Sequence, residues 1–155
     1  MKIEEAIQQK KFISEHQKAL INLIYTSGQV LSSNTRLLRP FNISQQQFNI
    51  LRILRGMNPQ PATVKLLTER MLDKMSNASR LVEKLKQKGL VERVISENDR
   101  RRVDISITDE GLKLVEAASI VIEEDMGRVR EVLTEEEARQ LSDLLDKVRI
   151  YETLK

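Results

Sequence analysis

The sequence predicts a mainly α-helical chain of the α+β type, with long helices at both ends and a compact middle segment that finishes in one β-hairpin. Three observations lead there. Of 155 residues, 40% are apolar and 32% charged, with only five Gly and three Pro, a composition suited to ordered helix. Apolar residues recur at three- and four-residue spacing over most of the length. Two short stretches, 90–95 and 103–108, are instead rich in β-branched residues, and the second alternates Val103, Ile105 and Ile107 with Asp104, Ser106 and Thr108.

Taken in order, Ile13, Leu20, Ile24, Ser27 and Leu31 mark a first amphipathic helix from near residue 10 to the Arg39-Pro40 break. Ser44-Gln45-Gln46-Gln47 has the form of a capping box, with Ile43 and Phe48 placed as a hydrophobic staple. It opens a helix with Phe48, Leu51 and Leu54 on its core side, which ends at Gly56 and the Asn58-Pro59-Gln60-Pro61 stretch. A short helix from about Thr63 to Arg70 is followed, after a few residues, by another that Asp73 is expected to open. That second helix is expected to bury Met75, Ala78, Leu81, Val82 and Leu85. Gly89 stands where a left-handed C-cap belongs, with Leu90 beside it for the apolar contact.

The pair of helices reads as a helix-turn-helix, and the two β-rich stretches after it as a hairpin. The hairpin loop, Ser96-Glu97-Asn98-Asp99-Arg100-Arg101-Arg102, carries three arginines near an exposed tip, where core packing does not explain them. Thr108-Asp109-Glu110 then caps a long helix with Val115, Ala118, Ile122, Met126, Val129 and Leu133 on one side. A second capping box, Thr134 to Glu137, starts a last helix striped with Ala138, Leu141, Leu144, Leu145 and Val148. These terminal helices are too apolar on one side to stand alone in water. Helices from both ends are therefore expected to bury one another between two copies of the chain. The resulting division is 1–43 for an N-terminal helical dimerisation segment, 44–108 for a winged helix-turn-helix and 109–155 for a C-terminal helical dimerisation segment.

Charge supports the middle segment as the working part. The net charge is only +3, but residues 74–102 hold nine basic and four acidic side chains, a local +5 that leaves the rest at −2. Such a concentration is expected where phosphates are neutralised, although a charge run is also compatible with a solvated face. Other chemistries find little to work with. No cysteine is present, which excludes disulfides, thiolate nucleophiles and cysteine-based zinc or iron-sulfur sites. His16 is the single histidine and has no partner cluster for a metal. Gly-rich phosphate loops and glycine-framed serines are absent, so neither catalysis nor a cofactor is expected. Met57, Met71, Met75 and Met126 read as core filler. The start of the chain lacks the pattern of a signal peptide, and the longest uncharged stretch, 19–35, is broken by polar residues. No membrane segment is expected, and the compartment expected is the cytoplasm.

Leu81-Val82-Glu83-Lys84-Leu85, Lys88-Gly89-Leu90-Val91-Glu92-Arg93, Asp99-Arg100-Arg101 and Ile107-Thr108-Asp109-Glu110-Gly111 follow one another with short spacers. In this order they resemble bacterial MarR-type regulators, and the resemblance extends over almost the whole chain. It implies a homodimer with two winged modules below a helical dimerisation domain, reading a pseudo-palindrome in double-stranded DNA as a transcriptional regulator, with repression the expected direction. Early in the second helix, Ser76, Asn77, Ser79 and Arg80 are candidates for the major groove, because Asn and Arg pair bidentately with adenine and guanine edges. Lys74 and Lys84 are candidates for phosphate contacts. In the wing the resemblance points to Asp99 as the residue that orients an arginine and to Arg101 as the minor-groove probe, with Arg100 and Arg102 as backbone contacts or as alternatives to Arg101. Structural alternatives stand beside these roles: Asn77 as a cap, Ser79 bonded to the preceding turn, Asp99 closing the hairpin.

Relatives of this kind often respond to small amphipathic or phenolic effectors. Residues around His16, Leu20, Tyr25, Phe48 and Arg52 could line such a cleft, although each also has a packing explanation. Two other functions fit the same elements: a winged-helix adaptor whose basic face binds an acidic protein, and a DNA binder without base discrimination.

Overall fold

A computed structural model describes residues 1–95 and 103–150. The loop residues Asp99, Arg100, Arg101 and Arg102 lie outside the described residues. The chain divides into two compact units, 1–118 and 119–155.

In the first unit a short helix, α1 (Ile3–Ala6), precedes the long helix α2 (Glu15–Leu38). The helix thus starts several residues later than the expected position near residue 10, and the reason is a cap. The Ser14 hydroxyl accepts from the Gln17 amide at 3.1 Å, while the Gln17 side chain accepts from the Ile13 amide at 2.8 Å. Ile13 therefore precedes the helix. The helix α1 is fastened to α2 by Glu4, whose carboxylate pairs with Lys18 at 2.5 Å. That bond holds the Glu4 carboxyl below its usual range and raises the Lys18 ammonium.

A one-turn 3-10 helix, Arg39–Phe41, leads to α3 (Gln45–Met57). Both bonds of the expected capping box are made: Ser44 Oγ accepts from the Gln47 amide at 3.2 Å, and Gln47 Oε1 accepts from the Ser44 amide at 3.1 Å. The staple residues Ile43 and Phe48 are buried, as are Ile50, Leu51 and Leu54. The next helix, α4 (Val64–Arg70), is capped by Thr63, which also belongs to a two-residue strand, β1 (Ala62–Thr63). So short a strand leaves no period-2 pattern, and sequence reasoning missed it.

The following helix, α5 (Ala78–Gln87), is capped four residues later than Asp73. Asp73 instead closes a turn, accepting from the Met75 amide at 3.0 Å and the Ser76 hydroxyl at 2.8 Å. Asn77 is the true cap, its Oδ1 accepting from the Arg80 amide at 3.0 Å. Two side chains competent to cap lie four residues apart, and the apolar face of Ala78, Val82 and Leu85, all buried, decides for the second. Met75 is therefore not core: it is 93% exposed. Leu81 is half-buried. Gly89 has φ +70, and the bonds Gly89 N–H to Lys86 O and Leu90 N–H to Leu85 O complete a Schellman ending.

The hairpin strands are β2 (Val91–Ile95) and β3 (Val103–Ile107), in the sheet order β1-β3-β2, all antiparallel. Ile105 and Ile107 are buried as the alternation requires, but so is Asp104, at 6% exposure. It sits on the central strand between Thr63 of β1 and Val94 of β2, where no edge is open to water.

The helix α6 (Asp109–Gly127) begins under Thr108, whose Oγ1 accepts from the Gly111 amide at 3.1 Å and donates to the Gly89 carbonyl at 2.7 Å. Val115 and Ala118 are buried.

In the second unit, α6 ends at Gly127 and a 3-10 turn, Arg128–Glu131, replaces the helix expected to continue to residue 133. Ile122 is buried, but Met126 and Val129 are about half exposed, so Met126 is not core filler within one chain. The last helix, α7 (Glu135–Ile150), opens with the expected capping box. Glu137 Oε2 accepts from the Thr134 amide at 2.8 Å, and Thr134 Oγ1 accepts from the Glu137 amide at 3.2 Å. The first of these bonds holds the Glu137 carboxyl below its usual range. Leu141, Leu144, Val148 and Ile150 are exposed along α7.

Candidate nucleic-acid interface

The site is built on α5 and the turn before it. Burial of Ala78, Val82 and Leu85 fixes the rotation of the helix, and burying Val and Leu contributes about 1.5–3 kcal/mol each. With that face turned inward, Ser79, Arg80 and Lys84 are exposed. Arg80 and Lys84 form no ion pair with the described residues. An unpaired guanidinium in the first turn of a ten-residue helix can reach outward to a base edge or a phosphate.

The remaining candidates are placed less freely. Lys74 and Ser76 lie in the turn, not in the helix. The Lys74 ammonium donates to the Glu69 carbonyl at 2.5 Å, and Ser76 donates to Asp73. Asn77 uses its carbonyl oxygen as the cap, leaving the amide end for other partners. Sequence reasoning read Asp73 as a helix cap and Gln46 as part of a capping box, and did not place either at this site, where both organise the turn. The Asp73 carboxyl is held below its usual range, first by the Ser76 hydroxyl, then by the Met75 amide and the Gln46 side chain. Gln46, from the first turn of α3, donates to Asp73 at 3.4 Å. Its signal was its place in the Ser44-to-Gln47 capping stretch. A shallow cleft of about 370 Å³ lies here, lined by Gln46, Asp73, Ser76, Asn77, Arg80, Leu81 and Lys84. The structure thus brings four of the six predicted helix residues around one concavity.

Not every basic residue counted in the sequence faces outward unpaired. Arg93 on β2 pairs with Glu83 on α5 at 2.8 Å, which fastens the hairpin to the helix. Lys88 donates to the Asn42 carbonyl and to Gln47 Oε1, tying the end of α5 to the start of α3.

The residues suggested for an effector cleft line neither the cleft beside α5 nor the larger cavity described below. His16 is exposed, Leu20 is partly exposed, Tyr25 is half-buried and Phe48 is core, with the Arg52 guanidinium 5.8 Å from the Phe48 ring centre. A larger cavity of about 780 Å³ lies elsewhere, between the end of α2 and the start of α3, and its lining includes Arg36, Arg39, Ser44, Gln47 and Lys88. Among the described residues there is no cluster of His, Cys, Asp or Glu able to hold a metal. No described helix is long and apolar enough to cross a membrane.

Comparison with known proteins accounts for this arrangement. The MarR family model matches residues 41–102, from the 3-10 turn through the hairpin loop. The transcriptional regulator FarR of Neisseria gonorrhoeae is 31% identical over 132 residues, spanning 85% of this chain and 89% of FarR. The chain belongs to the MarR family. Among solved MarR structures, Staphylococcus aureus MepR in complex with DNA superposes with a TM-score of 0.74 at 25% identity, over 91% of this chain and 99% of MepR. The organohalide-sensing regulator RdhR, in its 2,4-dichlorophenol-bound form, shares the fold with a TM-score of 0.79 at 20% identity, over 90% of this chain and 82% of RdhR. This MarR protein is a DNA-binding transcription regulator and not an enzyme.

Proposed function

We propose that the protein is a homodimeric, cytoplasmic repressor that reads a pseudo-palindromic operator in duplex DNA. Ser76, Asn77, Ser79 and Arg80 enter the major groove, Lys74 and Lys84 hold phosphates, and the 99–102 loop reaches an adjacent minor groove with Arg101 as its probe and Asp99 orienting it. Arg100 and Arg102 take backbone phosphates. Residues 1–43 and 109–155 supply the contacts between the two copies. The observation that carries this reading is the exposed Arg80, without an ion-pair partner among the described residues, in the first turn of a helix whose other face is locked into the core. Repression is the direction proposed because a dimer seated on an operator excludes other proteins from the same DNA.

Release by a small amphipathic or phenolic ligand is part of the proposal, supported by the dichlorophenol-bound neighbour of the same fold. Such a ligand must favour one spacing of the two α5 helices over the other, since equal affinity for both shifts nothing.

A mobility-shift titration tests the reading, using the DNA upstream of the protein's own gene and a random duplex of equal length at about physiological salt. Specific binding is expected to exceed random binding by roughly a thousandfold. Arg80→Ala is expected to weaken the specific complex more than the random one. Equal losses on both duplexes would remove Arg80 from base readout. Equal weak binding by the wild type would leave a non-specific binder.

A further inference from the structure

The turn into α5 presents apolar surface where a solvated, charged face would be expected. Between residues 43 and 107 nearly every large apolar side chain described is buried or half-buried. Two are more than half exposed, Leu72 at 88% and Met75 at 93%, with Val94 next at 37%. Both outliers fall in one turn, three residues apart, directly before the Asn77 cap. Single exposed apolar residues need no explanation. A pair confined to the one turn that leads into the candidate reading helix does.

This turn is also built, not slack. Asp73 accepts from the Met75 amide and the Ser76 hydroxyl, and the Leu72 amide donates to Asn49 Oδ1 at 2.8 Å. The backbone on both sides of Lys74 is thus pinned to polar partners, which leaves the Leu72 and Met75 side chains outside the core. Lys74 lies between them in the chain, next to Asp73, and Arg80 and Lys84 are exposed on the helix that follows; this excess of cations along the turn and helix favours a polyanion over an apolar protein surface.

We propose that Met75, with Leu72 beside it, packs against the C5-methyl group of thymine in the major groove and so selects T·A pairs at one or two positions of the binding site. The thymine methyl is the apolar feature of the major-groove edge. An unbranched thioether with three rotatable bonds can lie along it without demanding one geometry. This rests on the reading of α5 as the major-groove element and adds a base preference that hydrogen-bond donors alone do not give.

The test uses the full chain. Selection from a random duplex pool first yields a preferred site, and each thymine in it is then replaced by deoxyuridine, which removes only the methyl. Wild-type affinity is expected to fall about fourfold at one or two of these positions, the value of one buried methyl group. Met75→Ala is expected to lose about as much on the thymine site and nothing further on the matching deoxyuridine site, while Met75→Leu retains the preference. Losses that simply add at every position, or a wild type indifferent to the methyl, overturn the proposal. Unaltered DNA binding by Met75→Ala would overturn it too and assign the pair to a protein partner. A pool that enriches no sequence at all sinks the reading of the module as a specific binder, which is a different failure and is visible before any deoxyuridine is used.

Discussion

Gly111 shows how much a single residue can decide. A Cβ built at this position would stand 2.1 Å from the Leu90 carbonyl oxygen and 2.8 Å from the Ile107 side chain. Backbone cannot yield as a flexible side chain does, so only glycine lets α6 start this close to the end of α5. Gly111→Ala is expected to cost about 3 kcal/mol, as overpacking against rigid neighbours does, and to lower the thermal midpoint accordingly. Thermal denaturation followed by circular dichroism checks it, and an unchanged midpoint would refute the close approach. Gly111 was legible in the sequence only as part of a motif. Nothing in its local pattern distinguishes it from Gly56, where a Cβ would meet open space.

The elements were legible where one signal dominated. The α3 capping box, the Gly89 ending and the hairpin strands stand where cap chemistry and β-branched alternation put them. Where two signals competed, the pattern misled. Asp73 and Asn77 can both cap, and the choice depends on which apolar residues meet a core whose shape is set by α3 and α4. For the same reason Met75 was assigned to the interior. The true cap carries a second expectation. Asn77→Ser keeps an oxygen for the Arg80 amide but removes the side-chain amide, so stability should hold within about 0.5 kcal/mol. If the Asn77 amide reads a base, the same variant loses discrimination at one position of the selected site. Titrations against single-base variants of that site separate the cap from the reader.

At the scale of the whole molecule, what the sequence showed was surplus apolar surface at both ends of the chain. In the first unit Ile24, Val30 and Leu31 are exposed on α2. In the second, Leu141, Leu144 and Val148 are exposed on α7. A lone chain would hold such stripes against water at a cost of about 25 cal/mol for each Å² left uncovered, and the dimer proposed above would cover them. Leu144→Glu, at a site 57% exposed within one chain, should leave the fold intact while shifting the chain from dimer toward monomer in sedimentation. Affinity for a two-half-site operator should fall with it. A variant that remains dimeric at micromolar concentration would take α7 out of the interface.

One hydroxyl sets how the reading helix can come loose. Thr108 donates to the Gly89 carbonyl at the end of α5 and accepts from the Gly111 amide at the start of α6, while its own amide donates to the Leu90 carbonyl at 3.2 Å. Two helix termini that would ordinarily fray independently are thereby spliced, and the residue just past β3, at the base of the hairpin, has become their common stitch. The last turn of α5 cannot unravel without opening the first turn of α6.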